Sequence, residues 1–158
     1  MKRAAVISIL VLAFAGLADS AYLTQQELSG TPLICNVEGL SGCNIVAESE
    51  YSKVFGVPLA EFGMLFYGIL FVLAALELAL FDRLLRRILQ AGAILGVLAS
   101  AYFTFVQIFF IGAFCIYCTI SAVITLLILI FASLIEPVRP IIPAVAAPHR
   151  DIPMPPKT

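Results

Sequence analysis

Charged residues are scarce in this chain, at 12% of its 158 positions, and tryptophan is absent. The nine Lys and Arg residues nearly balance the ten Asp and Glu residues, and no basic cluster is present. The sequence also lacks a glycine-rich phosphate-binding loop. Its one histidine, His149, lies far from every cysteine in a proline-rich segment, and we assign it no catalytic role. These absences argue against nucleic-acid binding.

Apolar residues are correspondingly abundant. They make up 62% of the chain, and the mean hydropathy is +1.09. A soluble domain is usually about half apolar and about a quarter charged. A bilayer-spanning helix needs roughly 20 apolar residues, and four runs reach that length: Ala4–Leu23, Val57–Phe81, Ile88–Ile111 and Ala113–Ile135. We therefore predict an all-α membrane protein, a bundle of four transmembrane helices with a long first loop.

The first run has an alternative interpretation. Lys2 and Arg3, the apolar stretch and Ala13-Phe14-Ala15 together resemble a signal peptide. Because the apolar run continues past Ala15, we favour an uncleaved first helix.

Proline and glycine mark the expected helix boundaries. Pro58 suits the first turn of the second helix, and Gly112 is expected to help turn the chain between the third and fourth helices. Pro137 and Pro140 follow the fourth. We thus expect a transmembrane domain at residues 1–136 and a disordered, Pro- and Ala-rich cytoplasmic tail at residues 137–158.

The distribution of Lys and Arg predicts the orientation. Eight of the nine precede the first run, lie between the second and third, or follow the fourth. Lys53 alone lies in the first loop, about Thr24 to Gly56. Both termini are therefore expected in the cytoplasm, with the first loop outside. All four cysteines then fall on the outer side, where disulfides persist: Cys35, Cys43, Cys115 and Cys118.

Two of the cysteines form a C-x-x-C motif, Cys115-Ile116-Tyr117-Cys118, at the start of the fourth run. Residues three apart share a helix face, so a disulfide is within range if the local geometry allows it. Free backbone N–H groups at a helix start favour a thiolate, the nucleophile of disulfide exchange. A disulfide across so few residues would constrain the fold little. The motif therefore favours redox chemistry.

Two other interpretations of the cysteines remain open. All four could hold a structural zinc ion, although no second C-x-x-C accompanies the first. Cys35 and Cys43 could simply staple the first loop. We favour exchange between the two pairs, with no metal.

Polar and small residues in the apolar runs are further candidates. Asp19 lies near the outer end of the first helix, where a functional and an interfacial role are equally open. Gln107 lies near the level of the cysteine motif and could contact a polar ligand head.

Gly92 and Gly96 favour close packing within the bundle, and so a monomer, with homodimerisation as the alternative. Glu61 and Glu77 are expected to reach the interface or face the bundle.

Taken together, these motifs resemble the vitamin K epoxide reductase family. The resemblance spans about Asp19 to Thr119. It is carried by the pair Cys35 and Cys43, Phe55-Gly56-Val57-Pro58-Leu59, the C-x-x-C opening the fourth helix, Asp19-Ser20-Ala21-Tyr22-Leu23-Thr24, and Ser49 six residues after Cys43.

The resemblance implies a four-helix bundle around a quinone, ubiquinone or menaquinone. It implies that Cys118 lies nearest the quinone, with Cys115 as its exchange partner. It also implies that Cys35 and Cys43 carry electrons from a thioredoxin-like protein. Family position, or proximity to the motif, suggests quinone contacts at Ser49, Ser52, Phe55, Phe103, Phe114 and Ala122.

The family pattern also sets the expected setting. Homologues often carry a fused thioredoxin-like domain, and the short tail here predicts a separate partner on the outer side. Ala122 stands where animal enzymes have a tyrosine at the ligand. We therefore expect disulfide formation in the plasma membrane of a bacterium or archaeon, rather than vitamin K epoxide reduction in the endoplasmic reticulum.

Three alternatives to this function are kept. One is vitamin K epoxide or quinone reduction proper. Another is a DsbB-type quinone-linked disulfide oxidase, whose C-x-x-C lies in the first outer loop and whose order is therefore reversed. The third is a non-enzymatic membrane scaffold with structural disulfides, whose thiols would not change redox state on addition of a quinone.

The predicted orientation can be tested by labelling. A membrane-impermeant maleimide should label reduced Cys35 in intact cells, because the charge asymmetry places the first loop outside. Labelling that requires access to the inner face would contradict this orientation.

Overall fold

The computed structural model describes residues 2–34, 42–54, 56–80 and 82–135. The predicted tail with His149, and also Cys35 and Phe55, lie outside the described residues. In chain order the elements are α1 (Lys2–Ser29), α2 (Cys43–Glu48), a 3-10 turn (Glu50–Ser52), β1 (Lys53–Val54), β2 (Val57–Pro58), α3 (Leu59–Leu80), α4 (Arg83–Val106), a π-helical turn (Gln107–Ile111) and α5 (Ile116–Ile135).

Four helices in the described part of the chain are long and apolar enough to cross a membrane. They are α1, α3, α4 with its π-helical turn, and α5. The prediction of a four-helix membrane bundle is confirmed. The first loop is also partly folded, since it holds α2 and a small β-hairpin.

The helices begin and end at different residues from those predicted by hydropathy. α1 continues six residues past Leu23 and ends where Gly30 adopts a left-handed conformation, φ 65°. α4 begins five residues before Ile88, because the Asp82 carboxylate accepts a hydrogen bond from the Leu84 N–H at 3.0 Å. Hydropathy predicts where a bilayer ends, whereas backbone geometry and capping decide where a helix ends.

The start of α3 also differs. Val57 and Pro58, predicted to open this helix, form β2 and pair with β1 in an antiparallel hairpin. Gly56 in its turn has φ 82°, a conformation that favours glycine. Pro58 therefore precedes the helix instead of lying in its first turn.

The start of α5 differs by three residues. Gly112 has φ 67° and turns the chain as predicted, and Ala113–Cys115 follow it as a linker rather than as helix. The first helical hydrogen bond runs from the Thr119 N–H to the Cys115 carbonyl, at 3.2 Å. Cys115 is therefore the cap residue of α5, and Cys118 lies inside its first turn.

Small residues set how closely the helices pack. A Cβ atom at Gly96 of α4 would lie 2.5 Å from Phe66 Cζ and 2.6 Å from Thr125 Cγ2. Gly96 is thus used inside the bundle, as predicted. The surrounding core is apolar and includes Ile9, Ala13, Tyr67, Leu70, Ala74, Ala93 and Ile128.

At the end of the bundle opposite the first loop, α3 and α4 are joined by an ion pair. Glu77 of α3 is buried and pairs with Arg86 of α4. Glu77 therefore faces the bundle, one of the two predicted arrangements. Arg86 was expected in a loop, and lies in α4 because that helix starts early.

The helices do not pack equally. α1 packs extensively on α3 and α5, and α4 packs on α5, whereas the consecutive helices α3 and α4 make far fewer contacts. A space therefore remains between α3 and α4 on the loop side of their ion pair.

Gly96→Ala tests this packing. Because its Cβ would overlap Phe66 and Thr125, we expect a loss of about 1–3 kcal/mol in the free energy of unfolding, measured by thermal or denaturant unfolding in detergent. Gly68→Ala is the matched control, since a Cβ at Gly68 meets nothing within 4 Å. Equal stability of the two variants would contradict the close contact.

Candidate redox site

The C-x-x-C motif lies where the π-helical turn, Gly112 and the start of α5 meet. Cys115 is 2% exposed, Cys118 is half-buried, and both are free thiols. The Cys115 N–H donates to Gln107 Oε1 at 3.3 Å. The Gln107 side chain also interacts with the Cys118 thiol. Gln107, noted in the sequence for its level in the membrane, thus holds the motif in place.

The two thiols are electronically unequal. A hydrogen bond from Cys118 is the largest cause that lowers the pKa of Cys115, to about 7. Burial acts in the opposite direction, and backbone hydrogen bonds from Cys118 and Tyr117 support the lowering. Near neutral pH, Cys115 is therefore ready to ionise, while Cys118 keeps the proton that it donates.

The first loop brings a third cysteine to the motif. Cys43, the first residue of α2, is 0% exposed and is disulfide-bonded. It shares one buried cluster with Leu33 and Cys115. Cys35, the other cysteine of the predicted loop pair, lies outside the described residues.

A glycine makes this approach possible. A Cβ atom at Gly42 would lie 2.8 Å from both Ala113 Cβ and Phe114 N. A side chain at residue 42 would therefore push α2 away from the linker that carries Cys115. This glycine, which the sequence analysis missed, sets the distance between the two cysteine pairs.

Hydrogen bonds fasten the loop over the motif. The Leu33 N–H donates to Asn44 Oδ1 at 2.8 Å, and the Tyr117 hydroxyl donates to the Ile34 carbonyl at 2.9 Å. Asn44 follows Cys43, and Tyr117 lies between Cys115 and Cys118. The described parts of the loop are thus docked on the C-x-x-C, with the Tyr22 and Tyr117 rings 5.4 Å apart beneath them.

Both thiols of the motif line a large cavity, about 1290 Å³ in volume. Its inner walls come from α1, α3, α4 and α5, and its outer part from the first loop. The walls formed by α3 and α4 are apolar and include Phe62, Phe66, Leu95 and Phe103. Small-molecule sites span roughly 300–1,000 Å³, so this cavity is large enough for a ring compound with a tail.

Polar groups lie at the bottom of the cavity. The buried Tyr67 hydroxyl lies 2.8 Å from both Ser121 Oγ and Thr125 Oγ1 and donates to the Ser121 carbonyl at 2.9 Å. These three residues were not predicted as site residues from the sequence. Their spacing in the sequence does indicate the cluster. Cys118, Ser121 and Thr125 are spaced i, i+3 and i+7, so they share one face of an otherwise apolar helix.

The predicted contact residues divide into two groups. Ser49, Ser52 and Phe103 line the cavity, whereas Phe114 and Ala122 are not among its lining residues. Phe114 lies on the linker before Cys115 and is 39% exposed. Ala122 is next to Ser121, about 100° further around α5, so it belongs to a different face.

Asp19 also lines the cavity. Its Oδ2 atom is buried and has no hydrogen-bond partner. Among the described residues, no group of three or more His, Cys, Asp or Glu side chains could hold a metal ion.

These features define a class: a four-helix membrane protein with a reduced C-x-x-C beside a buried, disulfide-bonded cysteine, the arrangement of a thiol oxidoreductase. A profile of the Vitamin K epoxide reductase family matches residues 7–133, and the chain belongs to that family. Members of this family are in general linked to quinones and to thiol-redox partners.

A curated relative agrees with this assignment. The chain is 35% identical over 112 residues to the thiol-disulfide oxidoreductase LTO1 of Arabidopsis thaliana. The alignment covers 66% of this chain and 29% of that protein, so the chain spans less than a third of its relative.

The inequality of the thiols predicts a pH dependence. Because its pKa is lowered to about 7, Cys115 should be alkylated increasingly fast as pH rises through neutrality. Cys118→Ala removes the main cause, so it should slow alkylation near pH 7 several-fold and move the midpoint to higher pH. Iodoacetamide rates for the Cys115 peptide, by mass spectrometry in a Cys35→Ser, Cys43→Ser background, measure this.

Cys118→Ser is the matched control, since its hydroxyl can still donate to Cys115 and should preserve part of the effect. An unchanged midpoint in Cys118→Ala would show that the thiol hydrogen bond does not activate Cys115.

Proposed function

We propose that this protein oxidises a thioredoxin-like partner and passes the electrons to a membrane quinone, and so supports disulfide formation. One observation carries the proposal. The free thiols of the C-x-x-C line a cavity between the membrane-spanning helices, while Cys115 shares a buried cluster with Cys43 of the docked loop. One motif thus touches both a ligand-sized space and the second cysteine pair.

The proposed electron path begins at the loop. The partner's dithiol reduces the Cys35–Cys43 pair and is itself oxidised to a disulfide. Cys43 thiolate then attacks Cys115 in an oxidised C-x-x-C and forms a Cys43–Cys115 disulfide, while Cys118 leaves as a thiolate. Attack by Cys35 on Cys43 restores the loop disulfide and releases Cys115. Packing of Cys43 on Cys115 supports this order.

The redox state of the cysteines matches one stage of that path. Cys43 is disulfide-bonded, and Cys115 and Cys118 are both free. In the proposed cycle this is the stage after internal exchange. The two electrons then reside on the thiols that line the cavity.

The cavity suits a quinone. Phenylalanine rings on α3 and α4 offer flat apolar walls, and hydroxyl groups of Tyr67, Ser121 and Thr125 lie at its base. The bound quinone would supply the electron acceptor, which takes up two electrons and two protons. Cys118, one turn further into α5 than Cys115, is the proposed donor.

Access from the membrane is supported by two residues. Leu95 of α4 and Phe62 of α3 line the cavity, yet they are 68% and 42% exposed. They flank the space between these loosely packed helices. An isoprenoid tail could extend into lipid there, which suits a ubiquinone or menaquinone.

The proposed setting follows the charge distribution. Both termini would be cytoplasmic, and the docked loop would face the periplasm or the cell exterior of a bacterium or archaeon. There the loop would meet its partner, whereas Cys115 is 2% exposed and out of a protein's reach.

Quinone reduction can be measured directly. Purified protein with dithiothreitol and a short-chain quinone should form quinol, and Cys118→Ser should reduce this to background, because the proposed electron donor is lost. Cys43→Ser is the matched control, since a small reductant can reach the C-x-x-C without the loop and should leave residual activity. Near wild-type activity in Cys118→Ser would remove Cys118 from the mechanism.

The internal exchange can be trapped. In Cys35→Ser, Cys118→Ser both resolving thiols are gone, so a Cys43–Cys115 disulfide, formed with an added thiol oxidant, should accumulate. After protease cleavage between Gly56 and Phe114, the two fragments should remain joined on a non-reducing gel. Cys43→Ser, Cys118→Ser is the control. Separation in the first variant, with Cys35 linked to Cys115 in the second, would reverse the roles of the loop cysteines.

A further inference from the structure

One ionisable group of the cavity takes no part in the electron path. Asp19 lies within the membrane-spanning α1 and lines the same cavity as Cys115 and Cys118. Its Oδ2 atom is buried without a hydrogen-bond partner. Buried polar atoms nearly always have partners, and an ionisable group in a membrane segment is costly. The Asp19 side chain lines the cavity and has one oxygen without a partner, so it is available to exchange a proton with whatever occupies the cavity.

The reaction needs such an exchange. When two thiols join in a disulfide they release two electrons and two protons, and a quinone takes up two of each to become a quinol. The hydrogen bond from Cys118 to Cys115 accommodates only one proton between the sulfurs. A second proton must also leave the thiol pair and reach a quinone oxygen.

Other polar side chains of the cavity are less suited to this task. The Tyr67 hydroxyl is already hydrogen-bonded to Ser121 and Thr125. Glu27 lies at the loop end of α1, where Lys53 is 4.0 Å away. Gln107, which interacts with both cysteines, has an amide side chain that does not gain or lose a proton. Asp19 is a carboxylate that lines the same cavity as both thiols.

The titratable groups that interact electrostatically with Asp19 lie on two elements. They are Tyr67 of α3 and three residues at the start of α5, Cys115, Tyr117 and Cys118. None of these side chains becomes positively charged. Asp19 therefore has no ion-pair partner among them, and it is coupled to both thiols of the motif.

We propose that Asp19 carries one of the two protons from the Cys115–Cys118 pair to the quinone oxygen. The carboxylate accepts a thiol proton as the Cys115–Cys118 bond forms, the electron pair passes to the quinone, and the carboxyl returns the proton to a quinone oxygen. The second proton reaches the other oxygen, so the products are one disulfide and one quinol. This inference rests on the proposed quinone reduction and assigns its proton-transfer residue.

The test uses the full-length protein with its C-x-x-C reduced and excess reductant removed. Quinol formation from a short-chain quinone is followed in single turnovers across a pH series for wild type, Asp19→Asn and Asp19→Glu. At neutral pH, Asp19→Asn should be slower by about 100-fold, the scale of a lost acid–base group. Asp19→Glu restores a carboxylate and should recover most of the rate.

The pH profile separates proton transfer from structural damage. Without a carboxylate, the proton must be lost to solvent. The rate of Asp19→Asn should then rise about tenfold per pH unit, and its deficit should shrink above pH 7, near the pKa of Cys115. Glu61→Gln, the same chemical change at a residue outside the cavity lining, should match wild type.

The outcomes are distinct. Absence of quinol with wild-type protein would overturn the proposed function, and the role of Asp19 with it. An active wild type with an equally active Asp19→Asn would overturn the role of Asp19 alone. A deficit in the rate of Asp19→Asn that stays constant with pH would also overturn the role of Asp19. So would a deficit that the Asp19→Glu variant does not recover. Formation of the Cys43–Cys115 disulfide in the Cys35→Ser, Cys118→Ser variant, driven by an added thiol oxidant in place of quinone, should be unchanged by Asp19→Asn.

Discussion

The placement of Cys43 and Cys115 in one buried cluster is the constraint on which the rest of the site depends. Exchange between thiols requires near contact, yet the two cysteines come from a loop and from a helix start far apart in sequence. Two glycines make the meeting possible. Gly42 leaves no side chain between α2 and the linker, and Gly112 turns the chain so that Cys115 caps α5. Asn44, which follows Cys43, accepts a hydrogen bond from Leu33 within the loop. Tyr117, which lies inside the C-x-x-C, donates one to Ile34 of the loop.

A second constraint comes from the membrane, where unpartnered polar groups are costly. Most polar side chains inside the bundle are therefore matched to one another: Tyr67 with Ser121 and Thr125, Glu77 with Arg86. The Asp19 side chain lines the cavity, and its buried Oδ2 atom has no hydrogen-bond partner. Glu77 and Glu27 also have one such oxygen, but each of them pairs with a cation, Arg86 or Lys53. Among the described residues Asp19 forms no ion pair, so its carboxylate is the one that calls for a chemical explanation.

Hydropathy and charge were sufficient to predict the helix number, because bilayer thickness imposes the length of every span. The C-x-x-C could be predicted as redox-active from its spacing. Helix boundaries could not, since Asp82, Gly30 and the Gly56 hairpin act through local hydrogen bonds and backbone geometry. Contacts in the cavity depend on which way each helix faces. Spacing from Cys118 would have found Ser121 and Thr125, whereas proximity in sequence selected Phe114, on an exposed linker.

The two ends of the bundle differ, and the difference bears on how protons and electrons move. On the loop side, the cavity reaches down to Tyr67. Beyond it lie the tightly packed Leu70, Ala74 and Ile128, and then the ion pair of Glu77 and Arg86. A proton path through that apolar core would need polar groups that these residues do not supply. The proposed reaction requires no proton path through the core, because the partner's thiols deliver two protons with their two electrons. Asp19 would have to move a proton only across the cavity, from sulfur to oxygen. A carboxylate on the wall of the cavity, rather than one in the packed core beyond it, is where such a short transfer needs it.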